Sequence, residues 1–300
     1  MIQVHNVKKE FEDIEAVKEM NLQIKKGSIY GLLGSNGAGK TTLLKMIGGI
    51  YKQDAGDIFI DGKPVFENVE LKSKMIVLTD SLYFFPQYTV RQMANFYKSM
   101  YPMWNEARFQ ELSKVFPISV NKKIHRMSKG MQRQVAFWLS LSTMPELLIL
   151  DEPFDGLDAV MRQTVKNLLV QDVAEREMTI LISSHNLLEV EDLCDHIGIL
   201  HHGEIMIEKE LDDLKTDVHK IQVAFKGGVM PEGLLKEFDV LYKEERGSVH
   251  LYIVRGDEEE VSAHIDFFMP VLFDVLPLTL EEIFIYEMRD VGYAIENVIV

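Results

Sequence analysis

Four short segments carry side chains suited to phosphate and metal binding or to proton transfer. The first, Gly34-Ser35-Asn36-Gly37-Ala38-Gly39-Lys40-Thr41, fits G-x-x-x-x-G-K-[ST] without a mismatch. It lies between an apolar run, residues 29–33, and a helix-period stretch, residues 42–47. Glycines let such a loop curl so that its N–H groups, and those of the helix beginning near Thr42, face phosphate oxygens. Lys40 then reaches the outer phosphates and Thr41 offers a hydroxyl to a divalent cation. The second segment is the apolar run 147–150 ending in Asp151-Glu152. Asp151 suits the metal side of a phosphate site, and Glu152 can orient a water as general base. Paired acids at a strand end can also be merely solvated. The third is the run 179–182 leading into Ser183-Ser184-His185, whose imidazole can donate to a phosphate. A histidine after a strand equally serves as a cap or surface group. The fourth is Met127-Ser128-Lys129-Gly130-Met131-Gln132-Arg133. Ser128 is a good N-cap, and Gly130 allows close approach, so this helix start is either an anion site or an ordinary capped helix.

The elements that must hold these groups follow from the apolar pattern. Short runs at 29–33, 75–78, 147–150, 179–182 and 197–200 alternate with helix-period stretches, the signature of an α/β sheet buried on both faces. Strands around 2–7, 21–24 and 57–60 read as an antiparallel addition to that sheet. Residues 83–116 hold ten of the 28 aromatics with little strand pattern, which predicts an inserted helical subdomain over about 83–143. Those rings could fill the core of the subdomain or line a docking groove. After Lys215 the texture changes: strand 219–225, helix 231–238, strands 240–243 and 249–254, helix 258–268 and strand 271–276 give a βαββαβ succession. His201-His202-Gly203 reads as a hairpin turn rather than a metal site.

Composition narrows the function classes. The chain has 300 residues, 47% hydrophobic and 26% charged, with a formal charge of −15. That charge argues against nucleic acid and against adsorption to anionic lipid. Residues 216–300 carry 17 acidic against 7 basic residues, so the tail holds most of it. The one cysteine, Cys194, cannot form an internal disulfide and fits a reducing compartment. No charge-free run exceeds residues 27–39, too short for a spanning helix, and the start lacks the apolar core of a signal peptide.

In order and context, these segments resemble the ATP-binding subunit of bacterial ABC transporters of exporter type with a C-terminal extension, over about residues 1–215. The resemblance implies a P-loop NTPase fold, α/β with a mixed sheet and an inserted helical subdomain, followed by a small α+β domain at 216–300. It implies ATP and Mg2+ as cofactors and a head-to-tail ATPase pair, homodimer or related heterodimer, closing over two ATP molecules. A separate integral membrane permease subunit would be driven, with this chain cytoplasmic and peripheral on the inner face of the membrane. Lys40, Glu152 and His185 would be catalytic, and Gly34, Ser35, Asn36, Gly37, Ala38, Gly39, Lys40, Thr41 and Thr42 would bind ATP. Ser128 and Gly130 would face the ATP of the opposite subunit, and Asp158, in Glu152-Pro153-Phe154-Asp155-Gly156-Leu157-Asp158, would touch that subunit. Thr41 and Asp151 would hold the metal, joined by Asp80, which stands where the family has glutamine. Phe11 matches the aromatic that stacks on adenine, or else is an edge-strand ring packed on the sheet. Met127, Lys129 and Met131 depart from the family signature. Pro277-Leu278-Thr279-Leu280-Glu281-Glu282-Ile283-Phe284 resembles the exporter-type extension. Two other functions fit the same motifs, a nucleotide-switched binding module and a soluble ABC ATPase not coupled to transport.

Overall fold

The computed structural model describes residues 1–216, 218–228, 230–279 and 281–283. They form two compact units divided after Glu208, slightly before the change of texture expected at Lys215.

The first unit opens with β1 (Ile2–Phe11), β2 (Ile14–Ile24) and β3 (Ile29–Leu33), then α1 (Lys40–Ile47). Next come β4 (Ala55–Ile60), β5 (Lys63–Pro64), the single turn α2 (Val69–Lys72) and β6 (Met75–Leu78). Three helices follow, α3 (Val90–Met100), α4 (Glu106–Val115) and α5 (Lys129–Ser142). The unit closes with β7 (Leu147–Asp151), α6 (Ala159–Arg176), β8 (Thr179–Ser184), α7 (Leu187–Glu191), β9 (His196–His201) and most of β10 (Glu204–Glu210), whose last two residues fall past the division.

Six strands form one sheet in the order β10-β9-β3-β8-β7-β6, whose β9-β3-β8-β7-β6 pairs are parallel. Every residue of β3, β7 and β8 is buried, as their unbroken apolar runs require when both faces are covered. Register brings Leu33 opposite Ser184 and Asp151 opposite Ser183, so three strands end side by side. Such ends are where open α/β sheets hold ligands. The opening strands do not extend this sheet. They form a separate antiparallel sheet, β2-β1-β4-β5, with Ile2, Val4 and Val7 inward. Alternating patterning buries one face against the common core and leaves the other to solvent.

The helical insertion starts each helix with a side-chain cap: Thr89 in a capping box with Gln92, Asn105, and Ser128. Trp138 is fully buried, stacks on Phe109 at 4.7 Å and donates its indole N–H to Phe109 O. Phe116 is buried beside it, whereas Tyr83 is 77% exposed. The aromatic stretch thus divides between core and surface. Cys194 is buried with its Sγ 3.0 Å from where a Cβ on Gly31 would stand, and burial pushes its thiol pKa well up.

The second unit contains α8 (Leu211–Thr216), β11 (Val218–Ala224), β12 (Asp239–Arg246), β13 (Val249–Arg255), α9 (Glu258–Phe267) and β14 (Leu272–Leu276). The strands form an antiparallel sheet ordered β12-β13-β11-β14. Asp257 caps α9 through two backbone N–H groups, and Val261 and Ile265 of that helix join a core with Ile221, Val223 and Val254. The helix expected at 231–238 is absent, and its place is taken by successive turns. Gly233, at φ 89, lies outside helical space, and the remainder is too short to nucleate a helix alone. Leu234 still reaches the core. Leu280 and Phe284 of the motif beginning at Pro277 lie outside the described residues.

Candidate functional site

The loop after β3 turns directly into α1, and the turn depends on glycine. Gly39 has φ 109, and a Cβ there would sit 2.3 Å from Ala16 O. Only glycine lets the loop lie against β2 in this way. Lys40, 6% exposed, folds over the loop and donates from Nζ to Gly34 O at 2.6 Å and Ser35 O at 3.2 Å. It also stands 3.5 Å from Glu152 Oε1. Thr41 donates its hydroxyl to Asp151, with Oγ1 2.8 Å from Oδ2.

The other two strand ends complete the arrangement. Asp151, the last residue of β7, is buried, and its Oδ1 accepts from Ser183 Oγ at 2.6 Å. That same Ser183 Oγ accepts from Glu152 N at 3.2 Å. Glu152 leaves the strand at φ 46, a left-handed conformation costly for a residue with a Cβ, which turns its side chain across the loop. Its Oε2 then meets His185 Nδ1 at 2.8 Å. A cation, a carboxylate and an imidazole are therefore in series: Lys40, Glu152, His185. Together with Ser35, Thr42 and Asp80 they line a cleft of about 770 Å3.

The oxygen pair of Thr41 and Asp151 fits Mg2+, a hard cation that commonly takes one or two protein ligands and leaves the rest to phosphate and water. Among the described residues no group of three or more His, Cys, Asp or Glu stands together as a larger metal cage. Asp80 lines the same cleft, but its carboxylate lies 3.3 Å from Arg133 Nη2. Arg133 also donates to Thr79 O and Asp80 O.

Other candidates fall elsewhere. Phe11 ends β1 and packs edge-on against Tyr51 at 5.6 Å, outside the lining of the cleft, with the residue 39% exposed. Ile14 and Ala16 line the cleft instead. Ser128 caps α5 by accepting from Met131 N, and Asp158 caps α6 by accepting from Met161 N. A Cβ on Gly130 would fall 2.3 Å from Gly156 O, so the start of α5 and the Asp155–Asp158 turn touch backbone to backbone. Met127 is buried, which accounts for an apolar residue there. His202, at φ 46, turns the hairpin and also lines the cleft. Beside it, burial and the second imidazole lower the His201 pKa. Sequence reasoning missed Ser183 and Arg133. The Ser-Ser pair before His185 was the available signal for the first; none pointed to the second.

Residues 17–155 match the family described as ABC transporter. The chain is 34% identical to the ABC transporter ATP-binding protein YtrB of Bacillus subtilis, over 95% of this chain and 97% of that protein. It is 30% identical to the bacitracin transport ATP-binding protein BcrA of Bacillus licheniformis, over 94% of each. Among solved structures it is similar to a dimeric bacterial ABC transporter cassette, with a TM-score of 0.65, 26% identity, and coverage of 70% of this chain and 99% of that one. A post-hydrolysis cassette dimer bound to ADP and Pi gives 0.64, with 25% identity, 70% and 99%. The chain belongs to the ABC transporter ATP-binding family. It is an ATP-binding, ATP-hydrolysing subunit of P-loop fold.

Proposed function

We propose that the cleft at the ends of β3, β7 and β8 is the hydrolytic site. The convergence of Lys40, Glu152 and His185 carries this reading. In it, backbone N–H groups of residues 34–42 and the start of α1 cradle the phosphates, and Lys40 moves from its loop carbonyls to the outer phosphate oxygens. Glu152 orients a water whose oxygen attacks the γ-phosphorus. The bond to the bridging oxygen breaks, ADP leaves, and the water proton passes to Glu152. His185 donates to the γ-phosphate as charge shifts. Thr41 and Asp151 would hold Mg2+, which when bound neutralises phosphate charge, and Ser183 keeps Asp151 aimed at it. Asp80 is a further acid at the rim of this site.

A two-fold dimer would make two equal sites. Ser128, Gly130 and Asp158 of each subunit would then meet the nucleotide of the other. The work of hydrolysis would pass to an integral membrane subunit, with this chain peripheral on the cytoplasmic face. Names such as bacitracin transport ATP-binding protein support that partner class.

Glu152→Gln decides the central assignment. Steady-state ATPase turnover is expected to fall at least about 100-fold while nucleotide binding persists. An unchanged rate removes Glu152 from its role. Affinity purification from solubilised membranes should recover an integral membrane protein with the chain. Recovery with ribosomes and no membrane protein overturns the transport coupling.

A further inference from the structure

Glu189 is a buried carboxylate that the phosphate cleft does not use, with 7% of its side chain exposed. A carboxylate taken out of water is costly unless it is both paired and hydrogen-bonded. Glu189 is both. Its Oε2 accepts from Ser184 Oγ at 3.2 Å, and its Oε1 lies 3.2 Å from Arg162 Nη1. These two partners belong to different functional segments.

Ser184 is the last residue of β8, immediately before His185, and its Oγ also accepts from Asn186 N at 2.9 Å. The turn that presents His185 is therefore pinned on both sides. Arg162 is in the first turn of α6, where its N–H donates to Asp158 O at 2.8 Å. Asp158 is the cap of that helix. One turn further, Lys166 repeats the link: its Nζ is 3.9 Å from Asp192 and 5.8 Å from the ring centroid of buried Phe154. Phe154 lies between Glu152 and Asp158. A single face of α6 thus holds the segment after β8 and the segment after β7.

We propose that Glu189 and Arg162 are a positioning pair that locks the His185 turn and the Asp158 cap into one rigid piece. The proposal rests on the roles given above to His185 and Asp158. A γ-phosphate engaged by His185 in one subunit would then set the position of Asp158 against the other, coupling the two sites. Packed, hydrogen-bonded elements with few alternative arrangements transmit such shifts without absorbing them.

The test is a double-mutant cycle in the full chain with MgATP: Glu189→Gln, Arg162→Met and the double variant, with Arg162→Lys as the conservative control. Each single variant is expected to lose about tenfold in turnover and to show a Hill coefficient for ATP near one. Affinity for a fluorescent ATP analogue should stay within about twofold, because the phosphate loop is untouched. The double variant should be no slower than the worse single one, and Arg162→Lys should recover most of the turnover and cooperativity. Additive losses, or losses of affinity and melting temperature in step with turnover, would overturn the pair as a coupling device. Arg162 is partly exposed, so its variants keep the test open should Glu189→Gln fail to fold. Wild-type turnover in Glu152→Gln is a different result: it overturns the site assignment itself, and this role with it.

Discussion

Asp151 shows how much of a site is decided by one neighbour. Its carboxylate is buried at a strand end, where Ser183 Oγ donates to Oδ1 and Thr41 Oγ1 lies 3.1 Å from Oδ1 and 2.8 Å from Oδ2. Removing the Ser183 hydroxyl leaves the buried carboxylate with one fewer donor to hold its orientation. Ser183→Ala should therefore lower the cation affinity of the site about 10–100-fold, the usual range when a residue orienting a metal ligand is lost. A Mg2+ titration of turnover, together with Mn2+ binding followed by electron paramagnetic resonance, measures it; unchanged cation affinity would remove Ser183 from that role. Most of this site was legible because its residues are contiguous: the loop 34–41 and the pair Asp151-Glu152 carry their context with them. Ser183 and Arg133 were not, since each acts on a residue far away in sequence that only the sheet register or helix packing brings near. The backbone of Glu152 was equally hidden, because no residue type marks a left-handed glutamate.

Among elements, α5 and the Asp155–Asp158 turn meet backbone to backbone beside the cleft. Gly130 meets Gly156 O with no room for a methyl group. Gly130→Ala should push the two segments apart and cost about 1–3 kcal/mol of stability, as overpacking does. Thermal unfolding measures this, and a melting temperature equal to wild type would show that the joint yields freely. The glycine has an internal packing reason as well as the phosphate-facing one that its motif suggests. Parallel strands were easy to read, since β3, β7 and β8 are unbroken apolar runs that only a doubly covered sheet accommodates. Pairing was harder. Whether β1 and β2 joined the main sheet or built their own depends on hydrogen bonds between strands, which alternation does not encode. The segment 231–238 mimics a helix because Leu234, Leu235 and Phe238 follow helical spacing, yet Gly233 takes φ 89 and the chain turns there instead.

At the scale of the molecule, charge and architecture separate. The −15 of the chain resides mainly in residues 216–300, whereas the cassette is nearly balanced. No helix among the described residues is long and apolar enough to cross a membrane, and a negative surface gains nothing from anionic lipid. The lone cysteine gives the cassette a timekeeper. Cys194 lies beneath β3, against Gly31, and its thiol is both shielded and held in the unreactive protonated form. A thiol reagent reaches it only when the first unit opens, so labelling should run at the opening frequency of the cassette. MgATP at 100 times its dissociation constant should slow that labelling about 100-fold, and prompt labelling of the native chain would refute the shielding. One sulfur atom, without any engineered label, would then clock how long a nucleotide keeps the cassette shut.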